Sequence, residues 1–270
     1  MTAGSSHSNP APTRGDEAPA WHLPFWIAHR GAGRRAPENT LAAFRLGASH
    51  GYTAFECDVK RSADGELFLL HDDTLARTTN GGEQVAGERS WDALSRLDAG
   101  SWHSPGFAGE PIPRLDGIAA ACRANGWGLN IEIKPTPGDE RETGLAVAKA
   151  VRRLWAGSAT LPLLSSFRPD ALAAAQAAAP ELPRGLLLDT LWDGWQEVAD
   201  RLAVVAVVTN HRVMDRALAM ELHARRRRAL CYTVNEPVDA YRLIDLGIDG
   251  LITDEVQRFA PGRQDPRLAA

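Results

Sequence analysis

The chain has 270 residues, of which 44% are hydrophobic and 24% are charged, and its formal net charge at pH 7 is -4. This composition is ordinary for a globular protein, and its weak acidity excludes a dominant basic surface of the kind that binds nucleic acid. The longest apolar runs fall short of the roughly 18 to 20 residues that a membrane span requires, so we expect no membrane insertion.

The N-terminal segment is rich in Ser, Pro, Ala and Gly and lacks the apolar stretch of a secretory signal. We expect residues 1–22 to be a disordered lead-in, residues 23–260 to form a single domain, and residues 261–270 to be a tail. The cysteines are odd in number and too far apart for a disulfide framework or a C-x-x-C motif, which favours a reducing compartment and a cytoplasmic location: Cys57, Cys122 and Cys231.

Strand-like runs alternate with helix-like segments along nearly the whole chain. Helical patterning occurs in longer stretches between them, for example in 40–50, 141–155, 169–178 and 237–246. Eight short apolar or alternating runs each lead into such a stretch: 26–30, 54–59, 128–134, 161–167, 184–189, 204–210, 228–235 and 250–254. Eight is the number of strands that closes a TIM barrel, so the predicted fold is an α/β (β/α)8 barrel.

One segment departs from the plain repeat. Asp64-Gly65 is a strong turn signal, and a hairpin centred there would place Asp58 opposite His71. From 73 to about 113 the chain is Gly- and Thr-rich with short helical pieces, so we expect a small inserted cap beside the barrel mouth. A simple surface hairpin is the alternative interpretation.

Acidic residues occur at two-residue spacing near the ends of predicted strands. Glu56 and Asp58 share one face of the second strand, and Glu132 lies on the same face of the third. Three carboxylates converging at the barrel mouth would repel one another and suffer desolvation. They therefore indicate one bound divalent metal ion, and their oxygen ligands favour Ca²⁺ or Mg²⁺ over zinc.

Two histidines and two cations lie near the same strand ends. His29 and His71 are suited to act as a proton acceptor and donor pair, while Arg30 and Lys134 supply positive charge for a phosphate oxygen. Phosphodiester cleavage needs these groups together. Taken singly, each is weak evidence, because a lone histidine is more often structural and Glu132 could form a plain interior ion pair with Lys134.

The ordered motifs resemble those of the glycerophosphodiester phosphodiesterases, and the resemblance extends from about 26 to 259. Within that family the chain looks closest to the bacterial cytoplasmic members associated with glycerol-3-phosphate uptake. The motifs are His29-Arg30, Glu38-Asn39, Glu56-Cys57-Asp58, His71-Asp72 and Glu132-Ile133-Lys134.

The resemblance implies that glycerophosphodiesters, such as deacylated phospholipid head groups, are hydrolysed to sn-glycerol 3-phosphate and an alcohol. It also implies that the three carboxylates hold the metal and that the two histidines act as acid and base. Phe167 and Tyr232, at strand ends, could contact the small-molecule substrate or simply pack. A cyclic or phosphoinositol-like substrate and a non-catalytic phosphodiester-binding protein are the alternatives, and the oligomeric state stays open.

Overall fold

The computed structural model of the protein describes residues 22–259 and residue 261, so the expected lead-in and tail lie outside it apart from their innermost residues. The described residues contain one sheet. Its nine strands are β1 Trp26–Ala28, β2 Ala54–Arg61, β3 Leu67–Leu69, β4 Gly128–Ile133, β5 Leu163–Ser166, β6 Arg184–Leu188, β7 Ala206–Asn210, β8 Arg228–Tyr232 and β9 Gly250–Thr253.

Eight of these strands close into a parallel barrel, which confirms the predicted fold. The order is β1-β9-β8-β7-β6-β5-β4-β2, and β1 pairs in parallel with β2 as well as with β9, so the ring has no free edge. Strand β3 lies outside the ring and pairs antiparallel with β2. Because all eight barrel strands run in one direction, their carboxyl ends meet at a single mouth.

Helices cover the outside of the barrel, except that the short helix Trp91–Leu94 belongs to the segment inserted after β3. They are α1 Leu41–Ser49, α2 Trp91–Leu94, α3 Leu115–Asn125, α4 Glu140–Leu154, α5 Pro169–Ala178, α6 Trp195–Arg201, α7 Arg216–Ala224 and α8 Pro237–Asp245. The Thr40 side chain caps α1 by accepting a hydrogen bond from the Ala43 amide, and proline begins α5 and α8 as expected at a first helical position. None of the described helices has the length and apolarity needed to cross a bilayer.

Alternation along the strands separates two environments. In β4, Leu129, Ile131 and Ile133 pack in the layer between barrel and helices, whereas Asn130 and Glu132 face the interior. The barrel interior is otherwise filled by small aliphatic side chains, namely Ile27, Ala54, Leu163, Leu187, Ala206, Val208, Leu230 and Ile252. Polar interior residues are thus concentrated where the strands reach the mouth.

The hairpin after β2 forms, but its predicted register is wrong by one residue. The Ser62 amide donates to the carbonyl of Glu66, so three residues form the loop, with Gly65 in the left-handed region at a φ of 91°. The turn is therefore centred on Asp64, as in a three-residue hairpin loop that ends in a left-handed glycine. Leu70 lies opposite Asp58 and donates its amide to the Asp58 carbonyl at 3.1 Å. His71 follows one residue later.

Residues 73–113 have little regular structure beyond α2 and two short 3-10 helices, Ala86–Glu88 and Pro105–Phe107. They enclose an apolar cluster of their own together with the hairpin: Phe68, Leu70, Leu75, Ala86, Leu94, Ala99 and Ile112. The fully buried ammonium group of Lys60 ties this segment to β2 through a 2.7 Å contact with Asp73. The segment is anchored beside the barrel mouth.

Candidate active site

Three buried carboxylates meet inside the mouth. Glu56 and Asp58 project from β2, and Glu132 projects from the adjacent β4, where it is in register with Asp58. One ligand oxygen from each of the three lies within 4.8 Å of the others. Their relative exposures of 3%, 1% and 8% show that water does little to screen their mutual repulsion.

Burial and mutual repulsion shift the pKa values of these groups. Burial raises the pKa of Glu56 well above its ordinary value, and the negative charges of Asp58 and Glu132 add to that shift. Burial, followed by the charge of Asp58, raises the pKa of Glu132 to about 7. Burial also acts to raise the pKa of Asp58, but the charges of Arg30 and Lys134 outweigh it and lower that pKa.

The residues present fit a divalent cation. Glu56 Oε1 is buried and has no hydrogen-bond partner, although a buried carboxylate oxygen normally has one. Asp58 and Glu132 share one cationic partner. Lys134 Nζ lies 3.7 Å from an Asp58 oxygen and 3.0 Å from a Glu132 oxygen. A hard cation bound by oxygen ligands would satisfy the unpaired oxygen and relieve the repulsion.

His29 stands just after β1 and is held between two carboxylates. Its Nδ1 lies 2.6 Å from Asp254 Oδ1, and its Nε2 lies 3.7 Å from Glu56 Oε2. Asn235 donates to the other oxygen of Asp254 at 2.9 Å. Burial acts to raise the pKa of Asp254, but the hydrogen bond with His29 prevails and the pKa falls to about 2. The ionised Asp254 thus orients the ring with Nε2 toward the three carboxylates.

His71 is connected to the same cluster through Lys134, which contacts both His71 and Glu132. Its Nδ1 is 2.7 Å from Asp72 Oδ1, and Lys134 Nζ is 2.9 Å from its Nε2. Burial is the largest cause that lowers the pKa of His71, the charges of Arg30 and Lys134 contribute, and Asp58 acts in the opposite direction. In the neutral ring, Nδ1 donates to Asp72 and Nε2 accepts from Lys134.

The loop between β1 and α1 is held in a strained form by the acidic cluster. Arg30 and Asn39 have positive φ angles of 50° and 60°, a left-handed conformation that costs roughly 1–2 kcal/mol for a residue such as arginine and that asparagine adopts more readily. The Arg30 amide donates to Glu56 at 3.1 Å, and its guanidinium donates to Glu38 at 2.8 Å. Asn39 exchanges two hydrogen bonds with the side chain and amide of Asp58.

Two cavities adjoin at His29 and Arg30. The first, which we call the reaction cavity, has a volume of about 170 Å³ and contains both histidines, two of the carboxylates, Phe167 and Tyr232. The second, which we call the outer cavity, has a volume of about 400 Å³ and is bounded by Arg34, Trp102 and His103. The inserted segment contributes these last two residues, so it shapes the approach to the site.

The structure brings the predicted site residues together. Asp58 contributes through the carboxylate cluster, and the other eight line the reaction cavity: His29, Arg30, Glu56, His71, Glu132, Lys134, Phe167 and Tyr232. Phe167 and Tyr232 meet edge to face with ring centroids 5.7 Å apart. His211, which follows β7, lies 3.5 Å from Asp239 and does not line the reaction cavity.

Sequence reasoning missed two of the supporting residues. Asp254 and Arg77 were not identified, because nothing local distinguishes them from ordinary strand-end and loop residues. Only the closure of β1 on β9 brings Asp254 to His29. Asp72 carried a signal that could have been used, because it directly follows His71 in the chain. The basic run Arg225–Arg228 follows α7, where several of its guanidinium groups pair with Asp200 or Asp249.

Comparison with known proteins identifies the family. The model of the glycerophosphoryl diester phosphodiesterase family matches residues 29–258. A glycerophosphodiester phosphodiesterase of Caldanaerobacter subterraneus subsp. tengcongensis is 32% identical over 234 residues, which are 85% of this chain and 93% of the relative.

Solved structures agree with that match. A phosphodiesterase of Oleispira antarctica in complex with the product sn-glycerol-3-phosphate is 34% identical with a TM-score of 0.82, and the match covers 87% of this chain and 95% of that one. A glycerophosphodiester phosphodiesterase of Agrobacterium tumefaciens is 30% identical with a TM-score of 0.71, covering 88% and 99% of the two chains. The chain is therefore an enzyme that belongs to the glycerophosphoryl diester phosphodiesterase family.

Proposed function

We propose that this enzyme hydrolyses glycerophosphodiesters to sn-glycerol 3-phosphate and an alcohol, with His29 and His71 as its acid/base pair. One observation carries the proposal. Two members of a cluster of three buried carboxylates line one cavity together with two imidazole rings, and each ring has its Nδ1 held by a further carboxylate. The family match favours this reaction over cyclic or phosphoinositol-like diesters and over a non-catalytic phosphodiester-binding protein.

Glu56, Asp58 and Glu132 would hold one divalent cation, Ca²⁺ or Mg²⁺. The unpaired Glu56 Oε1 and the raised pKa values of Glu56 and Glu132 support this assignment. Such a cation, when bound, polarises the phosphoryl oxygens and offsets charge that develops on them.

The histidines would move the protons. Asp254 and Asp72 each hold an Nδ1, which leaves Nε2 of each ring for proton transfer. The Nε2 of His29 lies 3.7 Å from Glu56, and the Nε2 of His71 lies 2.9 Å from Lys134 Nζ. One ring takes up the proton that the attacking oxygen releases, and the other supplies a proton to the departing alkoxide. Orientation by a carboxylate also fixes the tautomer of each ring, as in other imidazole–carboxylate pairs.

Two cations would assist at the phosphate. Lys134 Nζ contacts Glu132 and His71 and lies 5.8 Å from the centroid of the Phe167 ring, so its charge is directed into the reaction cavity. Arg30 also lines this cavity, and Glu38 fixes its guanidinium. Both can spread the negative charge of the transition state.

The two cavities suggest how a diester is placed. The reaction cavity, with Asn130, Phe167 and Tyr232, would take the glycerol phosphate end, which is a small and polar group. The product bound in the Oleispira antarctica relative is consistent with a glycerol phosphate end of this size. The outer cavity lies on the other side of His29 and would receive the alcohol, beside Trp102 and Arg34.

We also infer that the enzyme works in the cytoplasm. The three cysteines, Cys57, Cys122 and Cys231, are free thiols buried in the protein, which suits a reducing compartment.

The direct test is an assay with glycerophosphocholine and glycerophosphoethanolamine, in which release of glycerol 3-phosphate is followed. The purified protein is measured as prepared, after exhaustive chelation with EDTA, and after Ca²⁺ or Mg²⁺ is returned. We expect activity that chelation removes and one of the two ions restores. Undiminished activity after chelation contradicts the metal assignment, whereas no glycerol 3-phosphate under any condition contradicts the proposed reaction.

A further inference from the structure

Arg77 joins two parts of the site that are distant in the chain. It lies in the inserted segment, and its guanidinium makes two hydrogen bonds to each of two carboxylates. Its Nε and one terminal nitrogen contact the oxygens of Asp72 at 2.6 and 2.9 Å. Its two terminal nitrogens contact the oxygens of Glu38, both at 2.7 Å. One planar group therefore links the β1–α1 loop to the hairpin end.

Each of these carboxylates touches a residue of the reaction cavity. Asp72 accepts from His71 Nδ1 at 2.7 Å, and Glu38 accepts from Arg30 at 2.8 Å. The network thus runs from His71 through Asp72, Arg77 and Glu38 to Arg30. Arg77 does not line the reaction cavity, although it lines the outer cavity, and it reaches His71 and Arg30 only through Asp72 and Glu38.

Arg77 lowers the pKa values of both carboxylates that it contacts. The hydrogen bond from Arg77 is the largest cause that lowers the pKa of Asp72, and the hydrogen bond with His71 contributes to that shift. For Glu38, burial acts to raise the pKa, but hydrogen bonding with Arg77 and the charge of Arg30 prevail and lower it. Arg77 therefore keeps both supporting carboxylates ionised.

We propose that Arg77 is a positioning residue, which holds Asp72 against His71 and Glu38 against Arg30 and so sets the two walls of the reaction cavity relative to each other. The inference rests on the proposed function, since it assumes that His71 acts in proton transfer. Only the forked, planar guanidinium can make this pattern of paired bonds, because a lysine ammonium is a single point of charge.

An ordinary surface ion pair is the competing explanation, and Arg77 is partly exposed, with 44% relative side-chain exposure. The same inserted segment supplies a matched control. Arg96, just after α2, makes two hydrogen bonds to Asp92 at 2.7 and 2.8 Å, both side chains are exposed, and neither residue lines the two cavities. Surface ion pairs of that kind contribute little to the stability of the folded protein.

The test compares Arg77→Lys, Arg77→Met and Arg96→Met by kcat, KM and thermal midpoint with glycerophosphoethanolamine as substrate. We expect kcat to fall about 10- to 100-fold in both Arg77 variants, as for loss of an outer residue that orients an active group, with a small change in KM. Arg96→Met should keep its kcat. If Arg77→Met unfolds, the charge-conserving Arg77→Lys carries the test. Added guanidinium ion should partly restore the turnover of the Arg77 variants and should not change that of Arg96→Met.

A second comparison separates this inference from the proposed function. Arg77→Met is combined with His71→Ala, and we expect the double variant to be less impaired than the product of the two single losses, because part of the effect of Arg77 passes through His71. Losses that multiply fully, or a normal kcat in Arg77→Met, overturn the positioning role. A near-normal kcat in His71→Ala alone would instead overturn the proposed catalytic function of that histidine.

Discussion

Asp254 Oδ1 lies 2.6 Å from Nδ1 of His29, although 225 residues separate the two in the chain. The contact forms because the first and last barrel strands are neighbours, with Ala28 in register with Thr253. Asp254 directly follows the last strand, as His29 follows the first, so the closing of the ring itself brings the carboxylate to the imidazole. A barrel of this kind completes its site only when its two ends meet.

Replacing Asp254 by Asn should lower kcat by roughly 10²-fold or more, because an amide no longer holds the tautomer with its proton on Nδ1. The side chain keeps its size, so the fold should survive. Asp249→Asn is the matched control: its carboxylate lies 2.8 Å from His223, away from the reaction cavity. We expect that variant to keep its kcat. Equal kcat in Asp254→Asn and the native enzyme would remove Asp254 from the mechanism.

The two histidines can be told apart by the leaving group. His29→Ala and His71→Ala should each lose roughly 10²- to 10⁴-fold in kcat on glycerophosphocholine. With a p-nitrophenyl ester of glycerol phosphate, the departing phenolate needs no proton, so the variant that lacks the general acid should recover much of its rate. The variant that lacks the base should not. An equal loss of kcat in the two variants on both substrates argues against one ring being the acid and the other the base.

Cation binding should strengthen as the pH rises through about 7. In the metal-free protein Glu132 has a pKa of about 7, above its ordinary value, so below that pH a cation must displace a proton and above it the carboxylate is already ionised. The rise in thermal midpoint caused by Mg²⁺ or Ca²⁺ should therefore be larger at about pH 8 than at about pH 6. Glu132→Gln should weaken this dependence on pH. A rise in midpoint that is the same at both pH values contradicts the assignment.

Gly33 allows the β1–α1 loop to approach the end of β9. A Cβ atom at this position would lie 2.2 Å from the Asp254 backbone. Gly33→Ala should therefore displace Asp254 and lower kcat as well as stability. Gly126→Ala serves as the control, because Gly126 has a similar positive φ of 67° with open space around it. It should cost about 1–2 kcal/mol of unfolding free energy and leave kcat unchanged. Similar effects of both variants on kcat would show that crowding at Asp254 is unimportant.

Trp102 should affect the choice of alcohol more than the chemical step, because it borders the outer cavity and does not line the reaction cavity. We expect Trp102→Ala to change the ratio of kcat/KM between glycerophosphocholine and glycerophosphoethanolamine. Met220→Ala removes another exposed apolar side chain, on α7, and should leave that ratio alone. If this ratio of kcat/KM is unchanged in Trp102→Ala, the alcohol does not bind in the outer cavity beside Trp102.

Some features of the site were readable from local pattern. Alternation in β2 and β4 puts Glu56, Asp58 and Glu132 on the interior face, because successive side chains of a strand point to opposite sides. Eight strand-like runs then indicate a closed barrel, and the carboxyl ends of parallel strands share one mouth. The carboxylate cluster follows from these two facts without knowledge of any distance.

The hairpin marks the limit of such reasoning. Asp64-Gly65 correctly indicates a turn, but the number of loop residues depends on the backbone hydrogen bond between Ser62 and Glu66. Asp58 therefore lies opposite Leu70 and not opposite His71, as the sequence had predicted. A dipeptide signal locates a turn within a residue or so and does not set its register.

The sequence by itself determined which residues face the interior and which chemical groups are available there, because strand periodicity and residue chemistry are local properties. Only the tertiary structure decided their partners, as shown by Asp254 on His29 and by Arg77 between Asp72 and Glu38. Those contacts depend on ring closure and on how the inserted segment folds against the mouth. Both are set by packing over the whole chain, which no short run of residues encodes.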